Sequence, residues 1–563
     1  MGVSLLCALF RGFRQIYDYS LAREKGCAMA DIVLINPRFE ISTCGFEYGL
    51  PFCGAKCFFP VAALPLLAAL TPAEHRVTLI DENVEQIDYE RCVRADIVGI
   101  TGNIAQRVRM SAILRELKQR GAFTVVGGAF VTVQEDDFGD LADVIFIGEA
   151  EETWPEFLND WQQGRYHARY EQIDKTDMSK VPVPRFDLLK MRNYLQATIQ
   201  FSRGCPFACE FCDIIVVFGR RPRFKTSAQV IAELDALLDQ GVDRVMVADD
   251  NLVGNRKVIK AVLRDIVAWQ ETNGYPMTLF AEASLDLADD VEMLDLMVAA
   301  NFVHVFVGIE TPNAASLRET KKLQNLRKGG TMIEKVHRIQ DAGIEVLSGM
   351  VLGFDSDGHD IFEAQCRFIR QARIVNTLVN MLFAIPKTPL HARLENEGRL
   401  DPSIQPAYGT NVIPLKMSRK ELLAGTKEVV RTLYDRTAYF DRLDALFLDA
   451  RIGIEQGRLG YLQRHLWQRL KTKALWLVQA FLIFSGLMCR VPDTALRREY
   501  RRRMWRVLRR RCEPLVLRDY AFKCAIHYHM HVMVWQHDNV GTGFKTNGSD
   551  ELVDRKEQTA AAA

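Results

Sequence analysis

Between residues 31 and 160 the chain repeats one unit, a short β-branched run followed by a stretch of helical periodicity. The runs fall at 32–36, 77–81, 97–101, 123–127 and 144–147. Hydrophobic strands joined by helical crossovers pair in parallel and are covered on both faces. The rhythm therefore predicts an α/β fold that opens with a doubly wound, Rossmann-like domain over 31–165. Such sheets take ligands outside the carboxyl ends of their strands. Those ends carry Asp81-Glu82-Asn83, Thr101-Gly102-Asn103, Gly127-Gly128 and Gly148-Glu149. Thr101, Gly102, Asn103, Gly127, Gly128, Gly148 and Glu149 are thus candidate ligand contacts, although each glycine could equally serve a tight turn.

A proline-containing connector, 181–185, lies in a linker read over 166–195. A second βα series follows over 196–400, with six strands ending near Ser202, Ala248, Ser284, Ile309, Leu352 and Phe383. Six units predict a partial (β/α)6 barrel, whose chemistry belongs on the loops at the strands' carboxyl ends. From 401 to 546 strand signals fade and helices are expected. The polar stretch 547–563 reads as a disordered tail, and 1–30 as an N-terminal extension without a recognisable signal-peptide cleavage site.

At 563 residues the chain exceeds one hydrophobic core, consistent with several domains. Its 72 basic and 71 acidic residues exert no global pull on nucleic acid or membrane, and no nucleic-acid partner is expected. Thirteen cysteines are too sparse for a disulfide scaffold and fit a reducing cytoplasm.

Three of those cysteines stand close together in Phe201-Ser-Arg-Gly-Cys205-Pro-Phe-Ala-Cys209-Glu-Phe-Cys212, in the loop after the first barrel strand. Three thiolates on a four-iron cubane leave one iron open to a substrate's amino and carboxylate groups. Zinc remains an alternative, but a structural zinc site wants a fourth protein ligand and none follows nearby. The C-x3-C-x-(aromatic)-C pattern resembles the radical S-adenosylmethionine superfamily.

That resemblance implies a [4Fe–4S] cluster on Cys205, Cys209 and Cys212, with Phe211 near the adenine. It places Asp250 and Asn251 beside the methionine amino group, and Glu282 and Ser284 beside ribose or carboxylate. Glu310 closes the fourth strand, and Gly353 lies in the adenine-contacting fifth. Each acidic residue alone could equally be a helix cap or a solvated turn residue.

A doubly wound domain before such a barrel resembles the cobalamin-binding subclass. The familiar Asp-x-His-x-x-Gly motif is absent: His75 is the only histidine from 31 to 163, and Ala73 stands where its aspartate would be. Histidine ligation of cobalt is therefore not supported, though many members lack it. The subclass implies that one S-adenosylmethionine methylates cobalt while another supplies the radical that removes hydrogen from an unactivated carbon.

Longer stretches, 141–154, 181–189, 212–223, 250–255 and 384–389, resemble the hopanoid C-2 methylases and their near relatives. They imply a methyltransferase acting on a lipid-like molecule, with an electron donor such as ferredoxin or flavodoxin. Two alternatives stay open. One is a related enzyme with another substrate or product, including hopanoid C-3 methylation, cyclisation or rearrangement; the other is a cofactor-binding sensor without catalysis. Cys44, Cys53 and Cys57 match no pattern of that group and read as buried or free thiols.

A lipid substrate draws notice to the apolar run 474–489, slightly short for a bilayer span. It also draws notice to 497–511, where nine arginines accompany Tyr500, Met504 and Leu508 at helical spacing. Together they predict peripheral attachment to the inner face of a membrane; a buried core helix with a solvated arginine face is the alternative.

Overall fold

The structure, a computed structural model, describes residues 29–401 and 409–536. The readings of 1–28 and of the 547–563 tail lie outside the described residues.

Six parallel strands form the first sheet: β1 Asp31–Asn36, β2 Arg76–Asp81, β3 Ile97–Thr101, β4 Thr124–Gly127, β5 Val144–Ile147 and β6 Arg169–Glu171. Their order, β2-β1-β3-β4-β5-β6, reverses direction between β1 and β3. That switch opens a crevice at the strands' carboxyl ends. The first five strands lie where the hydrophobic runs predicted them. The sixth falls inside the stretch read as linker. It is three residues long and buries only Tyr170, which stacks on Phe146 with ring centroids 5.5 Å apart. One buried ring in three residues leaves no periodicity to read.

The second sheet contains β7 Ala197–Ile199, β10 Arg244–Val247, β11 Thr278–Ala283, β12 Phe302–Glu310, β13 Glu345–Leu352 and β14 Thr377–Met381. Its order, β14-β13-β12-β11-β10-β7, is an open parallel arc, the expected partial barrel. Between its first two strands a small antiparallel pair, β8 Ser202–Arg203 and β9 Arg223–Phe224, brackets the cysteine loop. The first barrel strand stops at Ile199 rather than Ser202. The reason is Asp249, whose carboxylate accepts from the Phe201 and Ser202 amides at 2.8 and 2.9 Å and so turns the chain out of the sheet. Along β11 to β13 fully buried residues alternate with half-buried ones. Leu279, Ala281, Val305 and Val346 pack under the helices, and the half-buried set, Glu282 and Phe306 among them, faces the lumen.

The C-terminal helices continue the barrel's hydrophobic core rather than forming a core of their own. The Pro514–His531 helix packs on the Leu466–Arg490 helix and reaches the amino ends of the barrel strands, where Lys523 Nζ donates to Glu345 Oε1 at 2.6 Å. The arginine-rich Thr494–Arg510 helix corrects the sequence reading of its apolar face. Tyr500 and Met504 are buried in the core, and Arg503 is held inside by Glu499 and Asp444 at 2.7 Å each. Tyr500 and Met504 are therefore unavailable to a membrane, while Leu508 stays 40% exposed.

Burial works against ionisation of Glu345, but Lys523 and His304 outweigh it and hold the carboxyl at about 2. A carboxyl held below its unfolded value stabilises the fold above the unfolded pKa and loses that contribution as pH falls towards the folded one. Removing the cation should strand the carboxylate: Lys523→Met is expected to cost about 3–5 kcal/mol in denaturant unfolding at neutral pH. Lys523→Met/Glu345→Gln should recover much of that loss.

Candidate active site

The cysteine loop is held from below by the segment that ends β10. Asp249 takes the Phe201 and Ser202 amides and the Ser202 hydroxyl, the last at 2.6 Å. Asp250 Oδ2 accepts from the Gly204 amide at 2.6 Å. Asn251 ties the end of β11 into the same frame: its Oδ1 accepts from the Ser284 amide at 3.1 Å and its Nδ2 donates to Ser284 Oγ at 3.2 Å. Three consecutive side chains therefore clamp two neighbouring loops. Gly204 is required at its position. It has φ +93°, and a Cβ there would lie 3.0 Å from the carbonyl oxygens of Gly219 and Arg221.

Cys205, Cys209 and Cys212 are free thiols, Cys209 buried and the other two partly so. Burial pushes the Cys212 thiol up to about 12 and raises Cys205 as well, so each bare sulfur favours its proton until a metal replaces it. Among the described residues, no three His, Cys, Asp or Glu side chains converge as they would around a single ion.

The sulfurs also have donors. Gln324 Nε2 donates to Cys209 Sγ at 3.4 Å, and Asn251 Nδ2 approaches Cys205 Sγ at 4.0 Å. Lys322 lies beside them, paired with Glu310 at 2.8 Å and 5.9 Å from the centre of the Phe211 ring. Burial opposes the charge on Lys322, but Glu310 and the Cys209 and Cys212 sulfurs outweigh that and raise it. The donor set thus fits an anionic iron–sulfur cluster.

Several predicted residues converge here. Phe211 lies next to Phe354, centroids 6.1 Å apart. Gly353 has φ +100° and donates its amide to Asp357 at 3.1 Å. Glu282 has no side-chain hydrogen bond among the described residues; burial raises its carboxyl to about 7, with Asp250 and Asp249 adding to the shift. Glu310, by contrast, is committed to Lys322. Lys322 and Gln324 were not legible in the sequence: they follow β12 in a short helical turn with no motif to mark them.

Above the crevice of the first sheet lies a cavity of about 400 Å³, and Thr101, Gly102, Asn103, Gly127, Gly128, Gly148 and Glu149 all line it. Gly128, at φ +109°, has no room for a side chain, because a Cβ would stand 2.5 Å from Thr101 Oγ1. The β3 and β4 loops therefore present bare backbone to the cavity, a surface suited to a broad, flat cofactor. Among the described residues no histidine lines it. His75 is elsewhere, with Nδ1 accepting from the Ala30 amide at 3.1 Å.

Glu149 is a brace rather than a free contact. Its side chain is 1% exposed and meets Arg203 at 2.7 Å and Arg223 at 3.0 Å. Arg203 also reaches Glu151 at 2.6 Å. The rim of one cavity is thereby bolted to the residue two places before Cys205.

A loop with three neighbouring thiols and a backbone-lined cavity on the adjoining α/β unit suit an enzyme of two cofactors. A Radical SAM superfamily profile matches residues 199–364, a B12 binding domain matches 53–158, and a domain of unknown function matches 388–539. The chain is 38% identical over 422 residues to an uncharacterized methyltransferase of Synechocystis sp., covering 74% of this chain and 78% of that one. It is 33% identical over 427 residues to the hopanoid C-2 methylase of Rhodopseudomonas palustris, covering 75% and 80%. The radical S-adenosylmethionine methyltransferase TsrM of Kitasatospora setae, solved with cobalamin and a [4Fe–4S] cluster, shares the fold. Its TM-score is 0.53 at 18% identity, over 70% of this chain and 81% of that one. The chain belongs to the cobalamin-binding radical S-adenosylmethionine methyltransferases, carbon-methylating enzymes that use a [4Fe–4S] cluster, S-adenosylmethionine and cobalamin.

The two sites predict separable losses. Cys205→Ala should remove the iron and its visible absorbance while leaving cobalamin binding by the purified protein within about twofold of the parent, since no thiol lines the upper cavity. Loss of both cofactors would show that the sites fold as one unit.

Proposed function

We propose that this enzyme methylates an unactivated carbon of a lipid-like substrate, a hopanoid at C-2, while attached peripherally to the inner face of a membrane. The identity to a hopanoid C-2 methylase across three-quarters of the chain supports the substrate class. The observation that carries the reading is the Leu466–Arg490 helix. Trp476, Ala480, Ile483 and Leu487 face the protein, whereas Leu470, Leu477, Val478 and Phe481 are exposed on the other side. Over its 18 most apolar residues its mean hydropathy is 1.5, and by length and composition it could cross a bilayer. One face is packed along the Pro514–His531 helix, so the geometry favours lying in the interface over spanning it. Lys471 and Lys473 on the same helix, and the exposed Arg498 and Arg501 beyond it, suit anionic headgroups.

When bound, the cluster, S-adenosylmethionine and cobalamin supply the radical and methyl-transfer chemistry. The chain's own part is positional. Cys205, Cys209 and Cys212 are assigned as the cluster ligands. Asp249 and Asp250 fix the loop that carries them, and Glu282 is the free lumen carboxyl placed to accept hydrogen bonds from a bound S-adenosylmethionine. Phe280 and Phe306 wall the lumen with apolar surface that excludes water. No general base is needed. A one-electron donor of the ferredoxin or flavodoxin type is the expected partner.

Lipid analysis of a hopanoid-producing host with and without this gene tests the reading. One hopanoid a methylene heavier, carrying the new carbon at C-2, is expected, and Cys209→Ala should abolish it. Methylation at C-3, an unmethylated rearranged skeleton or an unchanged lipid profile would each overturn the assignment.

A further inference from the structure

A second cavity, of about 440 Å³, lies at the opposite end of the barrel from the cysteine loop. Arg244, Thr278 and Val303, at or near the amino ends of β10, β11 and β12, form its roof. Its walls are apolar and come from three separate segments: Phe52 and Phe58, Leu482 and Ile483, and Phe522 and Ile526. Nothing in the methylation chemistry uses this space.

Three features of the cavity point to an amphiphile. Gln196, Asn376 and Asp519 in its wall each carry a buried polar atom, Nε2, Nδ2 and Oδ2 respectively, with no hydrogen-bond partner. Each such atom costs about 1–3 kcal/mol if left unmatched, and a hydroxyl, which both donates and accepts, is a partner that suits amide and carboxylate alike. Leu482 belongs both to this wall and to the exposed apolar face of the Leu466–Arg490 helix, with 59% of its surface exposed. The mouth therefore opens where that face would meet acyl chains. Arg490 lines the same cavity from the end of the helix, where a headgroup phosphate would sit.

The partition towards the cobalamin side is thin. Leu195 and Gln196 line the lower cavity, while Thr198, Ile199 and Gln200 of the same strand segment line the upper one. Phe58 faces the lower and Phe59 the upper, their rings in edge contact at 5.6 Å.

We propose that the lower cavity binds a hydroxyl-bearing membrane lipid drawn from the bilayer beside Leu482, with its apolar body along Phe52, Ile483 and Phe522 and its hydroxyl towards Asn376 and Asp519. The site is a lipid-capture chamber separated from the upper cavity by Phe58 and Phe59. It rests on the membrane attachment argued above but not on which carbon is methylated.

A photoactivatable diazirine sterol tests it, presented to the full-length protein in phosphatidylglycerol vesicles and separately in detergent micelles, with adducts mapped by peptide mass spectrometry. Adducts are expected on the segments carrying Phe52, Phe58, Ile483 and Phe522. Gly486→Phe fills the chamber, since even a Cβ at Gly486 lies 3.3 Å from Phe52, and should cut labelling about tenfold. Gln479→Trp, at a half-buried wall position, should do the same and serves if the first variant fails to retain cobalamin. Adducts confined to the outward face around Trp467 and Phe481, or undiminished in a variant that retains cobalamin, would overturn the proposal. Labelling in micelles without binding to vesicles would instead reject the membrane attachment and leave the chamber standing.

Discussion

Two guanidiniums, Arg203 and Arg223, brace the two halves of this enzyme against each other through Glu149. Arg203 has 8% of its side chain exposed and sits between Glu149 and Glu151 at 2.7 and 2.6 Å. Burial opposes its charge, but the two carboxylates outweigh that and raise it. An ion cluster so deep survives only because each member is matched, and removing one member typically costs about 3–5 kcal/mol. The carboxylates belong to the turn after β5, at the rim of the upper cavity, and the arginine begins the loop that carries the thiols. A methyl group and a substrate radical must meet within bonding distance, so the separation between the two sites is itself a catalytic parameter. Arg203 shares in fixing it with Arg223 on Glu149 and Lys387 on the Thr132 carbonyl.

The sequence was legible wherever periodicity or spacing carries the structure. Five strands of the first sheet, the six barrel strands and the cysteine loop announce themselves through β-branched runs and C-x3-C-x2-C. The strand β6 was hidden because three residues with one buried ring make no pattern. The site was half visible. Cys205, Cys209, Cys212, Asp250, Asn251 and Ser284 do gather around one loop, but the sequence could not tell that Asp250 is engaged by the Gly204 amide. Nor could it tell that Glu149, which lines the upper cavity, is also held by Arg203 and Arg223. Such commitments depend on partners distant in sequence, as with Lys322 and Gln324.

The C-terminal region shows how composition misleads when burial is unknown. Nine arginines between 497 and 511 looked like the membrane-facing element. Yet Tyr500, Met504 and Arg503 are turned inward, and the face left without a partner belongs to the helix before it. The Leu466–Arg490 helix exposes Leu470, Leu477, Val478 and Phe481 on one side and packs Trp476, Ala480, Ile483 and Leu487 against the protein on the other. The exposed apolar face and the lower cavity therefore lie on two sides of one helix, and the cysteine loop lies at the far end of the barrel.

The bracing role of Arg203 is tested most directly by counting both products of one reaction. In Arg203→Gln reconstituted with all cofactors and the proposed substrate, 5′-deoxyadenosine should still form, because the three thiols and Asp250 are untouched. Methylated product per 5′-deoxyadenosine should fall about tenfold, as a misplaced pair of sites loses productive geometry. An unchanged ratio, whether both products persist or decline together, would contradict the account.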